Sequence, residues 1–301
     1  MRRLREILLV AGFDLMESLR ARKVLVLFAL YVAGAAAATG GFVAVLAKLE
    51  HTINEALKVA DTSKPGAMTE ALMMNEQLRE GLGELVGDQA LANELVLIPL
   101  IALFYSWLAF TFVPALVTFT SCDAIANEVS SGSCRFALVR TDRLGWALGK
   151  AGGQAALLGV GIAGGAFAAW LIGLGFMNGF DALGTAWWLA RLALRAWLNG
   201  LPYLGLALGC SLVVRSPNAA RALAMFALIG VGVVDSMLAI PELNEYAPVL
   251  LPTLRQLLPG SHTLDLWRPA LIDRLPSLVL QPALGAAFFL LGYARFNRRD
   301  A

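Results

Sequence analysis

The chain has 301 residues, 58% of them hydrophobic and only 15% charged, against a charged share of roughly 25% in soluble domains. That balance excludes a water-soluble domain and reads as an all-α polytopic membrane protein. The net charge is +2 and no Lys/Arg cluster is interleaved with aromatics, so a nucleic-acid partner is excluded as well.

Residues 1–23 come first. Leu4, Ile7, Leu8, Ala11, Leu15 and Leu19 recur at helical spacing, with Arg2, Arg3, Arg5, Asp14, Glu17 and Arg20 among them. The pattern predicts a helix lying in the membrane interface with its basic side toward lipid headgroups; a helix packed on a soluble domain is the alternative. No cleavable signal is expected, because the first apolar run starts only at Val24 and is too long for one.

Six spans are predicted, at 24–46, 95–120, 151–176, 196–214, 222–240 and 275–294, each long enough at about 1.5 Å per residue to cross the hydrocarbon core. Pro99 and Pro114 in the second should bend it or mark a boundary. Gly161 and Gly165 in the third stand in a GxxxG arrangement that permits close helix contact. Trp187, Trp188, Arg191 and Arg195 before the fourth read as an interfacial belt with cations reaching outward.

The segments flanking these spans divide by charge. Residues 1–23, 121–150, 215–221 and 295–301 together carry 15 Lys/Arg and 7 Asp/Glu, whereas 47–94, 177–195 and 235–274 carry 9 and 15. The basic set belongs in the cytoplasm, with both termini and the 121–150 loop. Outside, 47–94 reads as two amphipathic helices split at Ser63-Lys64-Pro65-Gly66. Residues 241–274 are broken by five prolines, and their short apolar runs suggest a re-entrant or interfacial piece.

No catalytic or metal constellation emerges. His51 and Glu55 form an i, i+4 pair that fits a solvated loop better than a metal. Ser130–Cys134 is shaped like a serine-nucleophile turn, but neither histidine falls on that side. Gly145-Trp-Ala-Leu-Gly149-Lys150 has one residue too few for a phosphate loop, and Ala151 stands where Ser or Thr should hold magnesium. Cys122, Cys134 and Cys210 fit no metal spacing and read as free thiols. Asp235 is the one acid inside an apolar run, hence a candidate pathway or functional acid; contact with interfacial water is the alternative.

Several stretches together resemble the permease subunits of type-2 ATP-binding-cassette exporters. Leu19-Arg20-Ala21-Arg22-Lys23 resembles the family's basic run before the first span. In the central loop, Asp123, Glu128 and Gly132 precede Leu138 and Arg143, and Gly149-Lys150 closes it. Ala294-Arg295-Phe296-Asn297-Arg298-Arg299-Asp300 resembles the family's terminal aromatic-x-Arg-Arg-Asp. Thr141 stands where a proline is common and Ser133-Cys134 where Thr-Leu is usual, which leaves the substrate and subfamily open.

The resemblance implies one transmembrane domain over 1–301 in the bacterial cytoplasmic membrane, not an enzyme by itself. Two copies of a separate ATPase subunit would carry ATP and magnesium, and this chain would bind no cofactor. The loop would form the coupling helix that meets the ATPase, with Asp123, Ile125, Glu128, Val129, Gly132, Arg140, Arg143 and Lys150 as contact residues. Ile125 and Val129 would be apolar pegs, and Glu128 would pair with an ATPase cation or with Arg2, Arg3 or Arg5. Lipid and a second copy, in a homodimer seamed along spans one, two and five, complete the expected partners, with an outer partner on 47–94 possible. Two other readings stay open: a membrane subunit that transmits force to an outer partner without moving a substrate, and a secondary transporter of another class.

Overall fold

A backbone immersed in hydrocarbon has to satisfy its own N–H and C=O groups, which leaves the charge-free runs little choice but helix. The computed structural model describes residues 2–57, 65–66, 80–81, 83–84, 89–177, 180–240, 247–268 and 271–298, the side chains of Arg2, Ala56, Leu57, Glu94 and Leu271 excepted. Six helices there are long and apolar enough to cross a bilayer, and no strand occurs among the described residues.

In chain order the helices are α1 (Arg2–Arg20), α2 (Arg22–Leu57), α3 (Gln89–Leu97), α4 (Leu100–Ser121), α5 (Ala124–Ser131), α6 (Ser133–Leu138), α7 (Arg143–Phe176), α8 (Ala182–Val213), α9 (Pro217–Leu238), α10 (Leu250–Gln256) and α11 (Leu271–Asn297). The spanning six are α2, α4, α7, α8, α9 and α11. At the centre stands α8, packed on α4, α7, α9 and α11. Of its most apolar stretch 61% is buried, against 17% in α2 and 11% in α9. The core runs through Tyr105, Val113, Trp146, Ile162, Leu192 and Leu208.

Several helices overrun the predicted spans. Helix α2 has 36 residues and continues past 46 into the outer segment, where Glu50 is buried and accepts the Gly66 backbone N–H at 3.0 Å. Helix α7 has 34 and begins at Arg143 instead of 151. Helix α8 has 32 and takes in the predicted belt. There Arg191 does stack on Trp188, at 5.0 Å. Arg195, expected to reach outward, is only 4% exposed: one turn above Asn199, it shares the inner face of α8. Pro99 marks the α3–α4 boundary, while Pro114 sits inside a continuous α4. Of the predicted outer helices, Leu49 and Ile53 belong to α2; Leu72, Leu78, Leu82 and Leu85 lie outside the described residues.

Helix α8 meets α11 closely at Gly205 and Gly285, and α7 makes two further approaches that need glycine. Helix α1 lies along the start of α7 over Gly145, Gly149 and Gly153, one turn apart. A Cβ at Gly149 would fall 3.0 Å from the Ile7 carbonyl oxygen, and one at Gly153 2.9 Å from that of Ala11. The predicted pair Gly161 and Gly165 faces Phe28, Tyr31 and Tyr105. The other side of α1 leaves Leu4, Leu8, Phe13 and Met16 exposed.

The hairpin expected on the outer side is α10 followed by 3₁₀ turns at Pro259–His262 and Asp265–Trp267. It is fastened to α8 and α11 by side-chain hydrogen bonds: Thr263 Oγ1 donates to Asn199 Oδ1 at 3.1 Å, Gln281 Nε2 to the Pro259 carbonyl at 3.1 Å, and Ser277 Oγ to the Asp265 carboxylate at 2.9 Å.

Candidate functional site

The polar loop between α4 and α7 folds into two short helices. A turn at Cys122 and Asp123 ends α4, and Gly132 ends α5 with φ at 76°. That left-handed conformation favours glycine, and it redirects the chain into α6.

The first N–H groups of a helix have no intrahelical partner. In α5 those of Ile125 and Ala126 donate to Ser211 Oγ of α8, at 3.2 and 2.9 Å. The Asp123 carboxylate makes no local cap and is free to bind cations. It accepts from Lys23 Nζ of α2 at 2.8 Å and from Arg221 Nε of α9 at 2.9 Å.

A second ionic node holds the body of α5. Lys150 of α7 is buried and donates to Asp14 Oδ1 of α1 at 2.6 Å and to Glu128 Oε1 of α5. Gln154, one turn further along α7, donates to Asp14 Oδ2 at 2.8 Å and accepts from Ser121 Oγ of α4 at 3.0 Å. The two nodes set three cations (Lys23, Lys150, Arg221) against three carboxylates (Asp14, Asp123, Glu128). Because Asp14 and Lys150 are desolvated, removing one partner of that pair costs about 3–5 kcal/mol by analogy with other buried pairs. An eight-residue helix and the Asp123 before it are thereby tied through side chains to four helices, α2, α7, α8 and α9, and through Lys150 to α1 as well.

The far side of α5 and α6 is open. Asn127, Ser130, Arg135 and Arg140 are exposed, with Phe136 81% and Val139 85% exposed. Cys134 is buried beneath them, and burial together with the nearby Glu128 carboxylate pushes its thiol above the ordinary range.

The predicted site residues thus separate into three groups. Asp123, Glu128 and Lys150 converge on α5 as ion-pair partners; Ile125 and Val129 pack inward; Arg140 stays at the surface. Ile125 is fully buried, because the face of α5 that carries it lies against Ser211 and the core, so it is no outward peg. Glu128 meets Lys150 instead of Arg2, Arg3 or Arg5: Arg3 and Arg5 are exposed on α1, and the Arg2 side chain lies outside the described residues. Arg143 Nη1 donates to the Asn297 carbonyl at 3.1 Å. With Phe296 stacked on Trp146, this docks the end of α11 on the start of α7; Arg299 and Asp300 lie outside the described residues. Asp235 is remote from all of these. It lies against Gly260 of the outer hairpin, 3.7 Å from Arg255 Nε.

Sequence reasoning missed Asp14, Lys23, Gln154, Ser211 and Arg221 as parts of the site, and Phe136 and Val139 as its exposed apolar residues. One signal was present. Lys150 and Gln154 stand one turn apart at the head of an apolar helix, where two polar side chains on one face need partners.

Six apolar helices around a central α8 make this a polytopic membrane protein. The sequence profile described as ABC-2 family transporter protein matches residues 8–301, and the chain belongs to that family. It is therefore a membrane subunit of an ATP-binding-cassette transporter. The matched region takes in all six ion-pairing residues of the two nodes. None of the curated proteins compared with the chain matches it.

Proposed function

We propose that the chain is the permease of an ATP-driven exporter and that α5 is its coupling helix. A separate ATPase subunit, carrying ATP and magnesium, docks on the open side of α5 and α6. Phe136 and Val139 are the apolar anchors, with Arg135 and Arg140 at the rim. When the ATPase closes on ATP, it displaces α5, and the ties at Asp123, Ser211 and Lys150 pass that displacement to α1, α2, α7, α8 and α9.

The observation that carries this reading is the fastening of so short a helix to four others, and through Lys150 to a fifth, while its opposite side stays exposed. A connector that only had to turn the chain would need none of these ties.

The excess of Lys/Arg in the segments that hold both termini and α5 favours a cytoplasmic position for them. The pathway lies between two copies of the chain, each bound to one ATPase. The apolar, largely unburied faces of α2 and α9 favour these helices as the seam. Helix α1 rests in the interface with Leu4, Leu8 and Phe13 toward lipid.

The test is co-purification of the ATP-binding-cassette ATPase that comes with this chain in mild detergent. The variant Phe136→Glu/Val139→Glu should retain less than about a tenth of the wild-type ATPase, since buried apolar anchors dominate such interfaces. Undiminished retention would remove α5–α6 as the docking surface.

A further inference from the structure

The node at Asp123 borders a niche that the coupling role does not use. Between α2, α4 and α9 lies a hollow of about 560 Å³, rimmed by Arg22, Lys23 and Arg221 and floored by Val26, Phe119 and Met225. Three cations face it, and Asp123 is the one carboxylate paired with any of them among the described residues. Two positive charges are therefore uncompensated at its mouth.

The cations also keep donors in hand. Lys23 gives Asp123 one of its three N–H groups, its side chain remaining 41% exposed. Arg221 turns Nε and Nη2 to Asp123 and Nη1 to Asn218, and is 49% exposed. Arg22 is exposed and forms no ion pair with a described residue. Directly below them, Val26 and Phe119 are 57% and 45% exposed. Cations above an apolar wall at a helix end are the arrangement that takes a phosphate on a hydrocarbon chain.

We infer that this niche binds the phosphate head of an anionic phospholipid of the cytoplasmic leaflet, and that the lipid reinforces the Lys23–Asp123–Arg221 node of α5. The inference rests on the cytoplasmic placement of α5 proposed above. A free phosphate would satisfy the cations but leave the apolar floor bare, which favours the amphiphile. Because lipid and Asp123 share two cations, occupancy of the niche and the position of α5 are linked, and the effect is reciprocal.

Native mass spectrometry of the purified full chain tests this, with phosphatidylglycerol and phosphatidylcholine titrated separately. Phosphatidylglycerol should be retained roughly fivefold or more over phosphatidylcholine, and Arg22→Ala should cut that retention by roughly fivefold, the share of one surface cation. Arg22→Glu should cut it further, and millimolar inorganic phosphate should leave it unchanged. Equal retention of the two lipids, unaltered retention in both Arg22 variants, or displacement by inorganic phosphate would each overturn the inference. The assay involves no ATPase, so it separates from the docking test: an intact lipid preference beside full ATPase binding by Phe136→Glu/Val139→Glu would sink the docking surface and leave the lipid site standing.

Discussion

The two ends of this helical bundle are held together by different chemistry. At one end, α5 is tied down by full charges: Lys150 between Asp14 and Glu128, Asp123 between Lys23 and Arg221. At the other, among the described residues, the hairpin over 247–268 is fastened to α8 and α11 by the neutral groups of Asn199, Thr263 and Gln281 and by Ser277 Oγ donating to the Asp265 carboxylate at 2.9 Å. Among those residues no cation of the hairpin lies closer than 3.5 Å to a carboxylate, the contacts of His262, Arg255 and Arg268 included. Neutral hydrogen bonds hold a lid in place at modest cost. Charged ones, once desolvated, are costly to separate, so the helices they join tend to move as a unit. The difference fits the proposed role of the α5 end in transmitting displacement.

The largest effect should come from Lys150→Met. It leaves Asp14 and Glu128 side by side without their cation, and should lower stability in detergent by about 3–5 kcal/mol, read from thermal unfolding. If Glu128→Gln is added, part of that loss should return, because one of the two stranded carboxylates is gone. A Lys150→Met protein as stable as wild type would mean that the node is solvated.

The outer counterpart is Gln281→Leu. The side chain is fully buried, and its loss strands the Pro259 carbonyl, at a cost of about 1–3 kcal/mol. ATP-linked movement of α6 should survive it. A Gln281→Leu protein that keeps its stability but loses that movement would reverse the assignment of the two ends.

The smallest effect is chemical. Cys134 is 3% exposed, and burial and Glu128 raise its thiol. A raised thiol pKa means less thiolate at pH 7, so maleimide labelling should be several-fold slower than that of a free cysteine and should climb as pH rises past the ordinary thiol range. Labelling at the free-thiol rate at pH 7 would show that the face of α6 carrying Cys134 is not packed on the protein.

Much of this architecture was legible in the residue order. The six spans announce themselves as apolar runs, five of them free of charge and one carrying only Asp235, since hydrocarbon makes charge costly there. Their ends do not, because a helix that leaves the lipid can go on wherever protein covers it. Glu50 of α2 and Lys150 of α7 are polar residues inside such continuations. Asp123, Glu128 and Lys150 could be singled out from the loop alone. Their partners could not: Asp14 lies 136 residues from Lys150 and Lys23 100 from Asp123, and nothing local encodes such distances. Ile125 was misjudged for a related reason. A short helix between protein on one side and a partner on the other has two sides that need apolar residues, and periodicity does not say which is which.

On the proposed function, α5 passes motion to the spans through its charged ties. Spin labels at Ser130→Cys, exposed on α5, and Phe226→Cys on α9, in a background without Cys122, Cys134 and Cys210, report it without knowledge of the substrate. In the complex with its ATPase, the distance between the labels should change on ATP binding, and Asp123→Asn should abolish most of that change while ATP is still hydrolysed. The same ATP-dependent change in Asp123→Asn and in the wild-type sequence would contradict the account.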